Sequence, residues 1–82
     1  MEIFVANFDT DTDEEDLKAL FSQYGRVTSV DIWENSSKGG YGFVHMPDGL
    51  EASEAIDGLN GRWRNGRKLK VNKKRERQDY ED

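Results

Sequence analysis

The chain has 82 residues, a formal net charge of −5, one histidine and no cysteine. This length suits one small domain, the absence of cysteine excludes disulfide bridges and thiolate metal sites, and a single histidine cannot form a zinc centre. The longest apolar run, residues 3–6, is too short for a membrane span or a secretion signal, so we expect an intracellular protein, nuclear or cytoplasmic, without metal or cofactor.

A strand and a helix are predicted first. Residues 2–7 alternate, with Ile3 and Val5 on one side and Phe4 on the other. Thr12 with Glu15 three residues later matches a capping box, and Gly25 is a suitable stop for the helix. We interpret the acidic residues of its first turn as helix-end charges and not as catalytic carboxylates, because no catalytic partner accompanies them. The apolar stripe of this helix is Leu17, Leu20, Phe21 and Tyr24.

The second strand is predicted over residues 27–33, with Val30 and Ile32 facing inward and Asp31 and Trp33 facing outward. Trp33 has two possible positions. It either packs under the polar loop at 35–40 or extends an aromatic surface at the edge of a sheet, and the sequence leaves both open.

The third strand, within residues 38–46, is unusual because it combines glycines with aromatic residues. Strand alternation places Tyr41 and Phe43 on one face, together with His45, and Val44 and Met46 on the other. The second pair suits the core. The two rings then lie on a face that would ordinarily be polar, which indicates a binding surface.

A second helix and a final strand complete the pattern. Asp48 and Glu51 repeat the capping signal, and Asn60-Gly61 ends the helix. Asn65-Gly66 predicts a tight turn that folds residues 62–64 back on a last strand at 67–72. The apolar stripe of the helix is Ala52, Ala55, Ile56 and Leu59, and the last strand places Leu69 and Val71 inward and Lys68, Lys70 and Asn72 outward.

The charge is unevenly distributed along these elements. Residues 1–61 have a net charge of −10 and residues 62–82 a net charge of +5. The last strand is therefore a basic edge within an acidic protein, although a basic run alone is as often a solvated surface as a binding site.

The order strand, helix, strand, strand, helix, strand predicts an α+β fold of the ferredoxin-like βαββαβ type. Its four-stranded antiparallel sheet has both helices on one face. The apolar stripes of the helices need the inward side of every strand, so the aromatic residues are left on the open face.

Two segments carry a family resemblance. Residues 40–44, Gly-Tyr-Gly-Phe-Val, match the centre of an octameric signature, and residues 3–8 resemble its hexameric partner on the first strand. Residues 1–73 therefore resemble an RNA recognition motif domain, followed by a charged tail at 74–82 that we expect to be mobile. The first octamer position, a lysine or arginine in the family, is Gly39 here, with Lys38 one place earlier.

The resemblance implies a sheet ordered 4-1-3-2, in which Phe4 and Tyr41 stack on successive bases and Phe43 lies against sugars or between them. The implied partner is single-stranded RNA; single-stranded DNA and protein partners stay open, and we expect a monomer. The RNA-binding residues that we predict are Phe4, Asn7, Trp33, Lys38, Tyr41, Phe43, His45, Lys68, Lys70 and Asn72.

Two other functions are alternatives to RNA binding. Some members of this family capture a tryptophan-bearing peptide on the helical side, through an acidic first helix and an Arg-x-Phe triplet after the second. Arg62-Trp63 matches two triplet positions, but Arg64 stands where phenylalanine is needed, so peptide capture is the alternative. We expect no enzymatic activity, because the sequence contains no recognisable nucleophile and base pair, metal cluster or phosphate-binding loop.

Overall fold

The computed structural model describes residues 1–74. The predicted mobile tail therefore lies, apart from Lys74, outside the described residues. The elements in chain order are β1 (Glu2–Phe8), α1 (Glu14–Ser22), β2 (Ser29–Glu34), β3 (Gly40–His45), α2 (Gly49–Leu59), β4 (Trp63–Arg64), β5 (Arg67–Lys68) and β6 (Lys70–Lys73).

The main sheet has four antiparallel strands in the order β2-β3-β1-β6, and β4 with β5 forms a separate two-stranded ribbon. This order is the predicted 4-1-3-2 read from the other edge, so the predicted fold is confirmed. Alternate residues of the strands and the apolar stripes of both helices meet in one core. Its buried members are Ile3, Val5, Phe8, Leu17, Phe21, Val44, Met46, Ala52, Ala55, Leu59, Leu69 and Val71.

The ends of α1 differ from the prediction. Asp13, not Thr12, caps the helix: its side chain accepts from the backbone N–H of Asp16, and the Asp16 carboxylate accepts from the N–H of Asp13. Thr12 is fully buried and uses its hydroxyl elsewhere. The predicted stop at Gly25 is also wrong, because α1 ends at Ser22 and Gly25 does not have a positive φ.

The start of α2 was predicted correctly in part. The Asp48 side chain accepts from the backbone N–H groups of Leu50 and Glu51, at 2.9 and 3.1 Å. Glu51 does not complete the box, because its Oε1 accepts from the backbone N–H of Arg26 and so ties α2 to the segment after α1.

Within residues 1–74, no helix is both long enough and apolar enough to cross a membrane.

The C-terminal part contains the predicted turn, but the predicted last strand is divided in two. Asn65 and Gly66 have φ values of 52° and 82°, as the two central residues of a type I′ turn require. The ribbon therefore folds as expected. The chain then leaves the ribbon at Leu69, whose side chain is buried, and only β6 pairs with β1.

A bulge in β1 changes which face its last residue occupies. Asn7 has a φ of 69°, and the register against β3 shifts between Ala6 and Phe8. Strict alternation from Ile3 would direct the Phe8 ring outward. The extra residue of the bulge turns it into the core instead, where Phe8 is only 1% exposed.

Candidate nucleic-acid interface

Three aromatic rings lie side by side on the sheet face opposite the core. Phe4 on β1 and Phe43 on β3 are register partners, and their ring centroids are 5.7 Å apart. Tyr41 is two residues before Phe43, and its ring centroid lies 6.1 Å from that of Phe4. All three side chains are half-buried, whereas Gly42 and Val44, which alternate with them, are buried. The pleat of β3 thus presents its rings outward, as predicted.

Trp33 extends this surface at the edge of the sheet. Its ring meets that of Phe43 edge to face, with centroids 5.6 Å apart and planes at 80°. The Trp33 side chain is 64% exposed, and its Nε1 donates to Asp31 Oδ2 at 3.1 Å. Of the two positions that the sequence left open, the structure therefore has the second. We call Phe4, Trp33, Tyr41 and Phe43 the aromatic platform.

Lys74 lies against the platform, although it was not among the predicted site residues. Its Nζ is 4.9 Å from the centroid of the Phe43 ring and 4.0 Å from Glu2 Oε1. Its backbone N–H donates to the Glu2 carbonyl at 2.9 Å, which continues the pairing of β6 with β1. The only sequence signal for this residue was its place in the basic run, which does not indicate a position above one ring.

A pocket of about 420 Å³ opens beside the platform, where β1 ends and β3 begins. The lysines on its rim come from the loop before β3 and from β6, so two cations flank two aromatic rings. Apolar walls with a few cations suit a base with its attached phosphate. This rim pocket is lined by Phe4, Ala6, Asn7, Lys38, Gly39, Gly40, Tyr41 and Lys70.

Asn7, predicted to contact RNA bases, is engaged within the protein. Its Nδ2 donates to the Lys68 carbonyl at 2.8 Å, and its Oδ1 accepts from Arg67 Nη2 at 2.7 Å. These bonds tie the β1 bulge to the ribbon and give Asn7 a structural role. It still lines the rim pocket, and its contact with a base stays a prediction.

The other predicted side chains are spread around the platform. His45, at the far end of β3, has its Nδ1 3.7 Å from Glu2 Oε2. Asn72 on β6 is the register partner of Phe4 and is exposed. Lys68 is exposed but belongs to the ribbon and not to the main sheet. Only Lys38 and Lys70 of the predicted cations therefore lie at the rim pocket.

A polar cluster between the ribbon and the start of α1 consists of Asp9, Thr12 and Arg64. Arg64 Nη1 donates to the Thr12 hydroxyl at 2.6 Å and lies 3.6 Å from Asp9 Oδ1. The Thr12 hydroxyl in turn donates to Asp9, and this hydrogen bond, with help from Asn65, holds the pKa of Asp9 below its ordinary value of 3.8. The cluster joins the ribbon to the start of α1 and accounts for the burial of Thr12.

The fold and this surface define a class: a ferredoxin-like domain whose open sheet face carries exposed aromatic rings and whose edge is basic. The family model described as "RNA recognition motif" matches residues 3–70. The chain therefore belongs to the RNA recognition motif family.

Several relatives and solved structures are similar to the chain. RbpB of Nostoc sp. (strain PCC 7120), whose name designates a candidate RNA-binding protein, is 42% identical over an alignment that covers 96% of this chain and 80% of RbpB. The 28 kDa chloroplastic ribonucleoprotein of Nicotiana sylvestris is 38% identical, with 92% of this chain and 28% of that protein covered. The crystal structure of RNA binding protein PG1 is 39% identical, covers 96% of this chain and 99% of that chain, and superposes with a TM-score of 0.82.

Proposed function

We propose that the protein binds single-stranded RNA by stacking bases on the aromatic platform, without catalysing a reaction. One observation carries this proposal: the rings of Phe4, Tyr41 and Phe43 form a continuous half-buried surface on the open face of the sheet. The family and the names of the relatives support it.

Stacking suits this surface because the bases of a single strand are free to turn their faces toward the rings. Each stacked base contributes about 1–3 kcal/mol, and the contribution depends little on the identity of the base. We assign one base to Phe4 and the next to Tyr41, with Phe43 against the intervening sugars. Trp33 widens the surface beyond Phe43, toward the β2 edge.

Cations at the rim supply attraction for the RNA backbone. Lys38 and Lys70 line the rim pocket, and Lys74 lies above Phe43. Because the first 61 residues have a net charge of −10, attraction depends on these local cations and not on the whole molecule. Affinity should therefore decrease steeply as salt increases.

The experiment that tests this proposal is an amide-shift titration of the wild type with a short degenerate RNA pool, repeated for Phe43→Ala once that variant is shown to be folded. Shifts that centre on Phe4, Tyr41, Phe43 and Lys70 support the proposal when Phe43→Ala weakens them and added salt reduces them. A parallel titration with the DNA pool of the same length tests whether the 2′-hydroxyl matters.

Two results would contradict the proposal. No shift at low salt would exclude RNA binding by this surface. Shifts confined to residues 13–16 and 62–64 would indicate a peptide partner on the helical side, where Trp63, 67% exposed, is the available ring.

A further inference from the structure

The guanidinium of Arg67 is held by four hydrogen bonds next to the rim pocket, although Arg67 does not itself line the pocket. Its Nε donates to the Asn7 carbonyl at 3.3 Å, and its Nη2 donates to Asn7 Oδ1 at 2.7 Å and to the Lys38 carbonyl at 3.0 Å. Its Nη1 donates to the Ser37 carbonyl at 3.5 Å. Arg67 thus bridges β5, the β1 bulge and the loop before β3, and it contacts two residues that line the pocket.

The charge of this group is not neutralised within the described part of the chain. All four of its acceptors are carbonyl or amide oxygens, and no carboxylate of residues 1–74 lies within 4.0 Å of it. A guanidinium has five N–H groups, so these bonds leave one N–H of Nη1 without an acceptor among those residues. Arg64 differs, because it lies 3.6 Å from Asp9 and 4.0 Å from Asp16.

The backbone beside Arg67 leaves no room for a side chain at position 39. Gly39 has a φ of 115°, and a Cβ on this residue would lie 3.0 Å from Arg67 Nη2 and 2.8 Å from Asn7 Oδ1. The RNA-binding octamer begins with lysine or arginine at this position. Here Arg67, which is 28 residues further along the chain, places its Nη2 next to position 39.

We propose that Arg67 binds an RNA phosphate beside the rim pocket, next to Asn7 and Lys38, with its remaining N–H and its unneutralised charge. The contact rests on the function proposed above, and it adds a cation held by hydrogen bonds to the exposed side chains of Lys38 and Lys70. A guanidinium suits this role because it stays protonated and because its four internal bonds hold it in place before RNA arrives.

The test measures the affinity of Arg67→Gln for a short degenerate RNA pool at several salt concentrations. We expect binding about tenfold weaker than that of the wild type, since one charged hydrogen bond is lost. The slope of log affinity against log salt should decrease by about 0.7, the value for one phosphate contact with a single strand. Arg67→Lys keeps the charge, so its slope should match that of the wild type.

Arg62→Gln is the matched control. It removes the same charge from the same basic segment, but the Arg62 side chain is exposed and makes no hydrogen bond or ion pair within residues 1–74. Its slope should match that of the wild type. If Arg67→Gln also keeps the wild-type slope, even with weaker binding, then Arg67 only positions the Lys38 loop and the phosphate contact is refuted.

A second measurement does not depend on whether the variant folds. The Nε–H resonance of wild-type Arg67 should shift when the RNA pool is added, and it should not shift with a methylphosphonate pool, whose linkages are uncharged. If the platform amides shift with RNA while this resonance stays at its free position, the proposal is overturned. A wild type that binds no RNA would instead refute the function proposed above, and this inference with it.

Discussion

The ammonium of Lys74 lies 4.9 Å from the centroid of the Phe43 ring. A cation at this distance is attracted to the face of the ring, by about 0.5–1 kcal/mol at an exposed site. The same face is where a nucleotide would lie under the proposed function. Lys74 must therefore move, or bind a phosphate, when RNA occupies Phe43.

The position of Lys74 can be measured in the free protein. The ring current of Phe43 should move the ε-methylene protons of Lys74 upfield from their position in an unstructured lysine. Phe43→Leu removes the ring and should return these protons to that position, whereas Tyr41→Leu should leave them upfield. Added RNA should reduce the upfield shift in the wild type, and a signal that does not respond to RNA would contradict the shared face.

Substitution of the two exposed tryptophans should affect RNA binding differently. Trp33 is 64% exposed and contacts Phe43, and Trp63 is 67% exposed and lies in the ribbon. Trp33→Ala should weaken RNA binding by about 5- to 150-fold if a base stacks on this ring. Trp63→Ala should leave the affinity unchanged. Fluorescence anisotropy with the same RNA pool would measure both affinities. Equal losses of affinity would argue against base stacking on Trp33.

Stability should respond oppositely to alanine at Gly42 and at Gly49. A Cβ on Gly42 would overlap the Asp31 carbonyl of the neighbouring strand and lie 2.9 Å from the Ile32 Cα. These are backbone atoms of a paired strand, so Gly42→Ala should lower the free energy of unfolding by about 1–3 kcal/mol or more. Gly49 has open space around it, and Gly49→Ala should raise that free energy by about 0.5 kcal/mol. Denaturant unfolding followed by far-ultraviolet circular dichroism measures both changes.

Acid should remove a part of the stability through Asp9. The hydrogen bond from Thr12 lowers the pKa of Asp9 in the folded protein below 3.8, its ordinary value. The unfolded chain then binds a proton more readily, so this stabilisation is complete above the ordinary pKa and is lost as pH decreases through the folded pKa. Unfolding midpoints measured from pH 7 down to about pH 2 should converge for the wild type and Asp9→Asn at the acid end. Asp11→Asn, at an exposed position two residues away, is the control and should follow the wild-type curve.

The main strands and the open aromatic face could be predicted because the pattern of alternation is strong. Tyr41, Phe43, Val44 and Met46 lie on the sides expected for them, and the strand order follows the resemblance. Trp33 could not be assigned, since an outward tryptophan is compatible with either environment. The structure decides by the contact with Phe43.

The errors arise where one residue changes the local geometry. Thr12 and Asp13 both suit a helix cap, and the burial of Thr12 against Arg64 leaves the cap to Asp13. In the sequence, Arg67 could not be distinguished from the other basic residues of the last strand. Its bonds to Asn7 and to the Lys38 loop join segments that are far apart in sequence. Such long-range bonds leave no periodic signal in the sequence.

The position of β1 has a consequence for the order in which the protein is made. Among the four strands of this sheet, β1 leaves the ribosome first, yet in the finished sheet it lies between β3 and β6. The backbone groups on one edge of β1 can pair only after β3, which begins at residue 40, has been made. Those on the other edge can pair only after β6, which begins at residue 70, has been made. A nascent chain that ends before residue 70 exposes an unpaired strand edge, the feature that promotes association between incomplete chains. Such a chain also lacks Lys74, which lies over Phe43 in the finished domain.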